Sequence, residues 1–247
     1  MYKYFILLFF ILYVWAFFIE PNLLVVKRYK SEKFKGKKIV FASDFHIGKH
    51  DLKRLRKIVN LINRQNPDLV LSGGDFIKGY SGKSSLDIDT IAKEISKIKA
   101  PIYTVLGNHD GKFDKFTVKN TLEKYGIKVL LNSFEKFKDI TIAGIDDLQT
   151  GLPNVQTALT EDSVILLTHN PDVYYDIKQP VDLILAGHVH GGQVRLPKAI
   201  IVPSKYGTKF ACGDFNETGN RMIVTKGLGT SILTVRFLTL PEIIVIN

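Results

Sequence analysis

Apolar residues fall into two rhythms along this chain. From Asp51 to Asn66 they recur as Leu52, Leu55, Ile58, Val59 and Ile62, with Lys and Arg between them. That is the spacing of one buried helix face, and Pro67 stops it. A second helical face carries Ile88, Ile91, Ile95 and Ile98, and a third helix is predicted over roughly Phe113 to Tyr125. Short unbroken apolar runs, Lys38 to Ala42, Leu69 to Leu71 and Ile102 to Leu106, alternate with these helices. Strand, helix, strand, helix, strand, helix is the order of an α/β sheet. The rhythm then changes to strands: Val129 to Leu131, Ile140 to Ala143, Val164 to Leu167, and the run Leu183 to Ala186, with only short helices near Val155 and Val173. Past His190 the pattern is mainly β, with Gln193 to Leu196, Arg221 to Thr225, Ile232 to Phe237 and Glu242 to Ile246. The fold class expected is α/β (α+β), two sheets facing each other with helices outside.

The first residues follow neither rhythm. Phe5 to Ile19 carry no charge and no polar face. About fifteen such residues are short of the roughly twenty that cross a bilayer, and the flanking residues can extend the helix. A cleaved export signal needs small residues at its cleavage site, and Phe17-Phe18-Ile19-Glu20-Pro21 stands there instead. Residues 1–26 are therefore predicted to be an uncleaved membrane anchor. Lys27, Arg28, Lys30, Lys33, Lys35, Lys37 and Lys38 follow, interrupted among charges only by Glu32. Residues 27–37 read as a basic juxtamembrane linker that meets anionic headgroups and keeps the domain, residues 38–247, on the cytoplasmic side.

Charge and cysteine usage narrow the chemistry. The chain of 247 residues has a net charge of +10, which suits an anionic partner: a membrane surface, a phosphorylated substrate or nucleic acid. Nucleic acid is the weaker choice, because no loop interleaves aromatic and basic residues as a single-strand groove does. Cys212 is the only cysteine, so an internal disulfide, a zinc finger and an iron–sulfur cluster are excluded. Any metal must sit on His, Asp, Asn or Glu.

Such residues gather just past the predicted strands. The first strand is followed by Asp44 and His46, the second by Asp75, the third by Asn108, His109 and Asp110. Later strands are followed by His169 and by Gly187-His188-Val189-His190. Five of six histidines fall in this set; His50 reads as a solvated residue at a helix start. Side chains two apart in extended backbone point the same way, so His188 and His190 can reach one point. Groups collected at strand ends are how α/β sites are built. Mixed oxygen and nitrogen donors suit Mn, Fe, Zn or Co rather than Ca or Mg alone. Leaving aside His109 and Asp110, seven candidate ligands exceed one tetrahedral ion and suit two, which can hold a hydroxide between them and clamp a phosphoryl group for in-line displacement.

Asp-x-His, Gly-Asp, Gly-Asn-His-Asp, a lone His and Gly-His-x-His, in this order, resemble the motifs of the calcineurin-like metallophosphoesterases. The resemblance runs from about Lys38 to the C-terminus. Gly227-Leu228-Gly229-Thr230-Ser231, Arg236-Phe237, Pro241-Glu242-Ile243 and Gly187 to Gln193 are similar to the YkuE/YaeI branch. That branch has N-terminal membrane or export segments and includes the LpxG type of UDP-2,3-diacylglucosamine pyrophosphatase of lipid A synthesis. Val189 stands where the family more often has Thr, at a position that is not a ligand. The resemblance implies a four-layer sandwich. It implies that Asp44, His46 and His190 hold one divalent ion and that Asn108, His169 and His188 hold the other, with Asp75 bridging. It further implies that His109 is catalytic, stabilising phosphoryl charge and protonating the leaving oxygen. Asp110 reads as a cap of the following helix. The function implied is hydrolysis of a phosphodiester or pyrophosphate on a lipid-linked substrate. The alternatives are a soluble phosphoester or nucleic acid as target, and a scaffold that lost its chemistry; no expected ligand is missing, which speaks against the last. Lys78, Tyr80, Lys83 and Arg195 are candidates for substrate contact.

Overall fold

The structure is a computed structural model that describes residues 2–160, 163–196 and 199–247. Fourteen strands are described in chain order: β1 Val25–Tyr29, β2 Ile39–Ala42, β3 Leu69–Ser72, β4 Ile102–Thr104, β5 Lys128–Val129, β6 Ser133–Phe137, β7 Ile140–Gly144, β8 Ser163–Thr168, β9 Leu183–Ala186, β10 Arg195–Leu196, β11 Ala199–Ile200, β12 Gly213–Phe215, β13 Met222–Val224 and β14 Glu242–Ile246. The helices are α1 Tyr2–Val14, α2 Leu52–Arg64, α3 Ile88–Ile95, α4 Asn108–Lys124 and α5 Val155–Ala158. One six-stranded sheet has the order β1-β14-β2-β3-β4-β5, the other β12-β13-β9-β8-β7-β6, and β10–β11 form a separate hairpin. The central strands β2 to β5 run parallel, as do β7, β8, β9 and β13. Parallel strands buried on both faces are apolar throughout, which is why they appear in the sequence as unbroken runs.

Side-chain parity divides the core. In β2, Ile39 and Phe41 point toward the second sheet and meet Ile142, Ile165, Leu167, Leu185 and Ile223. Val40 and Ala42 point the other way, onto the helices. There α2 presents Leu55, Ile58, Val59 and Ile62, and α3 and α4 add Ile91, Ile95, Val118 and Leu122. The outer face of the second sheet, with Leu166, Ile184, Met222 and Val224, packs under Tyr174 and Phe210. Helices, sheet, sheet and an outer cover make four layers, as expected. Ile58 is fully buried, so Ile58→Ala removes core volume at a cost of about 2–5 kcal/mol.

Three departures from the sequence reading have physical reasons. The residues expected to form a linker include the rest of β1 and a 3₁₀ turn, Glu32–Phe34. β1 pairs in parallel with β14 from Val25↔Glu242 to Tyr29↔Ile246, and Phe34 is buried in the inter-sheet core; the density of lysines masked this apolar skeleton. Ile232 to Phe237, expected as a strand, is loop. Arg236 is fully buried there and donates to the carbonyls of Gly229, Thr239, Lys226 and Gly227, so the backbone wraps a guanidinium instead of joining a ladder. Helix α4 begins five residues early, at Asn108, and is broken by extended backbone at Asp114.

The N-terminal apolar segment is one continuous helical stretch, Tyr2–Asn22, of 21 residues. At ~1.5 Å per residue that spans a hydrocarbon core of about 30 Å. Side chains Tyr2 to Tyr13 are all exposed. Its foot is docked: Ala16 O accepts from Arg236 N at 2.9 Å. The buried Glu20 carboxylate accepts from Trp15 Nε1 (2.6 Å), Leu238 N (3.0 Å) and Thr239 N.

Candidate metal centre

The ends of five parallel strands converge on one point between the sheets. β2 delivers Asp44 and His46, β3 delivers Asp75, and the turn after β4 delivers Asn108 and His109 at the start of α4. From the second sheet β8 delivers His169 and β9 delivers His188 and His190. All seven expected ligands and His109 meet here. Nε2 of His46 lies 3.0 Å from Nε2 of His190 and 3.4 Å from Asp75 Oδ2. Nε2 of His169 lies 3.4 Å from Asp75 Oδ2, 3.1 Å from Asn108 Oδ1 and 3.1 Å from His188 Nδ1. Nε2 of His190 is 3.6 Å from Asp44 Oδ1. Asp75 thus stands between two groups of donors.

The outer ring atoms set the inner ones. Nδ1–H of His46 donates to Ile77 O (3.2 Å) and Nδ1–H of His169 to Gly73 O (2.7 Å), which turns each Nε2 toward the centre. For His188 it is Nε2 that faces a carbonyl, Pro203 O at 3.2 Å, and Nδ1 that faces inward. Burial drives the pKa of His46 down to about 3, that of His188 to about 4, and that of His190 well below the ordinary imidazole range. Neutral imidazole is the form that binds metals. Burial also pushes the Asp44 carboxyl up to about 6. Burial opposes charge on Asp75 and His169 too, but their mutual attraction outweighs it: Asp75 is held well below the usual carboxylate range and His169 rises to about 10.

Unpartnered buried atoms occur on two of the clustered residues. Asp44 Oδ2 and His190 Nδ1 are buried with no hydrogen-bond partner, an arrangement that costs about 1–3 kcal/mol per atom unless something binds there. Asp44, His46 and His190 offer three ligand atoms within 4.8 Å of one another, and so do Asp44, Asp75 and His169. The donor set therefore fits divalent metal.

The backbone here is unusual in a way that no motif announces. Asp44, His46, Asp75, His188 and His190 all have positive φ, between 41° and 72°. Left-handed backbone is rare for residues other than glycine and costs of order 1–3 kcal/mol each. It persists because neighbours lock it. The Asp110 carboxylate accepts from the N–H groups of Gly107, Asp75, Phe76 and Ile77 at 2.8–3.2 Å. It therefore caps α4 as expected and also clamps the Asp75 turn. Gly227 passes so close to Asp44 that a Cβ would lie 2.7 Å from the Asp44 Cβ.

His109 sits beside this cluster, its backbone N–H donating to Asp75 Oδ1 at 2.8 Å. Its Nδ1–H donates to Gly79 O (3.2 Å), and its Nε2 lies 3.4 Å from Ser231 Oγ. A cavity of about 630 Å³ opens over the cluster, lined by Asp75, Asn108, His109, His188 and His190 at its floor. Of the residues named as substrate contacts, Tyr80 lines the cavity against His109. Lys78 reaches Thr234 at 3.1 Å. Lys83 is exposed outside the lining, and Arg195 is turned to Cys212 Sγ at 3.0 Å. His50 is exposed, as read. Sequence reading missed Gln149, whose Nε2 is 3.1 Å from His188 Nε2, and Ser231. Gln149 follows β7 closely, so the strand-end rule that found the ligands would have found it.

The comparisons agree with this geometry. Residues 37–192 match the model of the calcineurin-like phosphoesterase family. The chain is 31% identical to the uncharacterized metallophosphoesterase YkuE of Bacillus subtilis, over 94% of this chain and 88% of that protein. It is 30% identical to the phosphodiesterase YaeI of Escherichia coli, over 91% of this chain and 88% of that one. It is also 30% identical to a transmembrane protein with metallophosphoesterase domain of Danio rerio, over 86% of this chain and 53% of that one. With more than half its length inside the family model and its strand-end donors gathered as a hydrolytic metal site requires, the chain belongs to the calcineurin-like phosphoesterases and is a metal-dependent phosphoester hydrolase.

Proposed function

We propose that this chain is a membrane-anchored, two-cation phosphodiesterase or pyrophosphatase that acts on a lipid-linked substrate. The carrying observation is the cavity: hydrolytic donors form its floor, and Leu196, Ile201, Val202, Ile232 and Leu233 form its walls. A phosphoester with an apolar tail matches that polarity; a soluble phosphoester or a nucleic acid strand does not. In this reading Asp44, His46 and His190 hold one cation, Asn108, His169 and His188 the other, and Asp75 bridges. Bound Mn, Fe or Zn would supply a nucleophile from water at neutral pH and neutralise charge on the phosphoryl oxygens. His109, whose Nδ1–H donates to Gly79 O, turns Nε2 to the cavity; burial lowers its pKa, so Nε2 takes up a proton within the reaction cycle before passing it to the leaving oxygen. Tyr80 and Lys112, whose Nζ lies 4.1 Å from the Tyr80 ring centre, wall that side of the imidazole.

The helix Tyr2–Asn22 anchors the domain to a bacterial-type inner membrane. The seven basic residues between positions 27 and 38 favour a cytoplasmic domain, because the charge bias is counted near the end of a span. A UDP-linked diacylated sugar is the specific substrate to try first. Protein loaded with Mn²⁺ is expected to cleave UDP-2,3-diacylglucosamine faster than bis(p-nitrophenyl) phosphate. Turnover of the aryl ester alone, across a panel of membrane lipids and nucleotide sugars, would leave a phosphodiesterase of soluble esters and sink the lipid reading.

A further inference from the structure

The foot of the apolar helix and the mouth of the cavity belong to one piece of structure. Arg236 N donates to Ala16 O, and the N–H groups of Leu238 and Thr239 donate to Glu20. The same loop, a few residues earlier, puts Ile232 and Leu233 into the cavity wall. Leu196 and Ile201, from the hairpin that the Val194–Phe237 bridge holds beside this loop, line the same cavity. These side chains are not tucked in: Ile201 is 89% exposed, Ile232 86%, Leu233 61%, Leu238 62% and Leu196 47%. Scattered apolar residues on a surface need no explanation, but a contiguous apolar rim around a polar site does.

Topology says what covers it. A helix apolar on every side needs lipid around it. Its foot rests at the carboxy-terminal end of the first sheet, where the donors are. β1 then carries the chain away, through Tyr29↔Ile246, to Ser31, which donates to Asn247 O. Ile246 in turn pairs with Ile39, at the start of β2. The exposed Lys30, Lys33 and Lys35 therefore lie at the opposite edge of the sheet from the helix foot, about 15 Å away by the ~3.3 Å rise of a five-residue strand.

We infer that the apolar rim of Leu196, Ile201, Ile232 and Leu233, together with Leu238 at the helix foot, is seated in the bilayer leaflet from which the helix emerges, so that the cavity opens onto the membrane. Substrate then enters from the leaflet plane, its phosphoester descending to the metal floor while its acyl chains remain among the lipids. The rim, not the lysine-rich segment, forms the membrane contact of the domain. Interfacial elements of this kind bury their apolar face ~5–10 Å into the boundary of headgroups and chains. The inference rests on the lipid-linked reading for its substrate, and on the docked helix foot for its geometry.

The test uses the full chain in vesicles of phosphatidylethanolamine and phosphatidylglycerol, with Cys212→Ser removing the native thiol. Ile201→Cys, Ile232→Cys and Lys35→Cys each carry a nitroxide. Labels at 201 and 232 are expected to collide with dissolved oxygen more than with a water-soluble nickel chelate, and the label at 35 to show the reverse. Water-like ratios at 201 and 232 overturn the inference even if lipid substrate is cleaved. Strong dipolar broadening between labels at 232 would place a second copy of the chain on the rim and overturn it equally. Immersed rim labels in a protein that cleaves only soluble esters would keep the membrane seat and remove the substrate reading.

Discussion

At the carboxy-terminal ends of the strands, backbone is held left-handed at five of the expected ligand positions, polar atoms are buried without partners, and an apolar rim adjoins an apolar helix. At the opposite edge of the first sheet, Lys30, Lys33 and Lys35 stand in solvent, with surface ion pairs such as Lys33–Asp182 at 3.2 Å. The first region concentrates strain, desolvated charge and unmet valence; the second is a solvated fringe. Function accumulates where a fold tolerates such costs.

The sharpest way to break this contrast is to remove the group that joins the two halves of the site. Asp75 touches His46 and His169 and accepts from His109 N. Asp75→Ala is expected to lose bound metal and to lower turnover by more than the ~10–100-fold that an outer-shell partner costs. Elemental analysis and a phosphodiester assay read both quantities. Full metal content with normal turnover would remove Asp75 from the centre. His109→Ala comes next. It is expected to keep metal yet lose about 10²–10⁴ in turnover, the range for a positioned proton donor. Loss of metal in this variant would make His109 a ligand instead.

How much of this was legible follows from what each level of structure demands. The donors were legible because each must sit just past a buried parallel strand, and such strands are unbroken apolar runs. α2 was legible because Leu55, Ile58, Val59 and Ile62 all face one core. The left-handed turns at Asp44 and His188 were not, because they arise from packing against distant chain: Gly227 beside Asp44, and the Asp44 carboxylate accepting from His188 N at 2.9 Å. β1 was hidden because an edge strand carries charge on its open side: Lys27 and Arg28 are exposed while Val25 and Val26 are half-buried. The stretch Ile232 to Phe237 misled because exposed apolar residues and apolar residues that face a core look alike in sequence. Only the buried Arg236 distinguishes them.

Arg236 offers a middle-sized effect. Its guanidinium binds the carbonyls of four residues, and burial together with Arg54 lowers its pKa to about 9, so it stays charged at neutral pH. Arg236→Met fills the volume but strands those acceptors. Buried acceptors cost about 1–3 kcal/mol each when left unpaired, so a loss of at least ~3 kcal/mol in urea unfolding is expected, with weaker retention of metal because the Gly227–Gly229 turn presses on Asp44 and His46. Unchanged stability would mean that the loop, rim included, is held by something other than this hub.

The smallest effect expected is none, and it is informative because the alternative is large. If the lysine-rich segment lay on anionic headgroups, each lysine would add about 1 kcal/mol of attraction, and its amine would be shielded from reagents at low ionic strength. Placed by β1 at the far edge of the sheet, Lys30 and Lys35 should instead acetylate as fast in anionic vesicles as in neutral ones. Peptide mass spectrometry of the full chain, pulsed with an amine reagent at low and high salt, reads this directly. A several-fold protection that appears only in anionic vesicles and vanishes with salt would bring the lysines to the bilayer. That result would require the domain to lie on its other side, with the cavity opening to water.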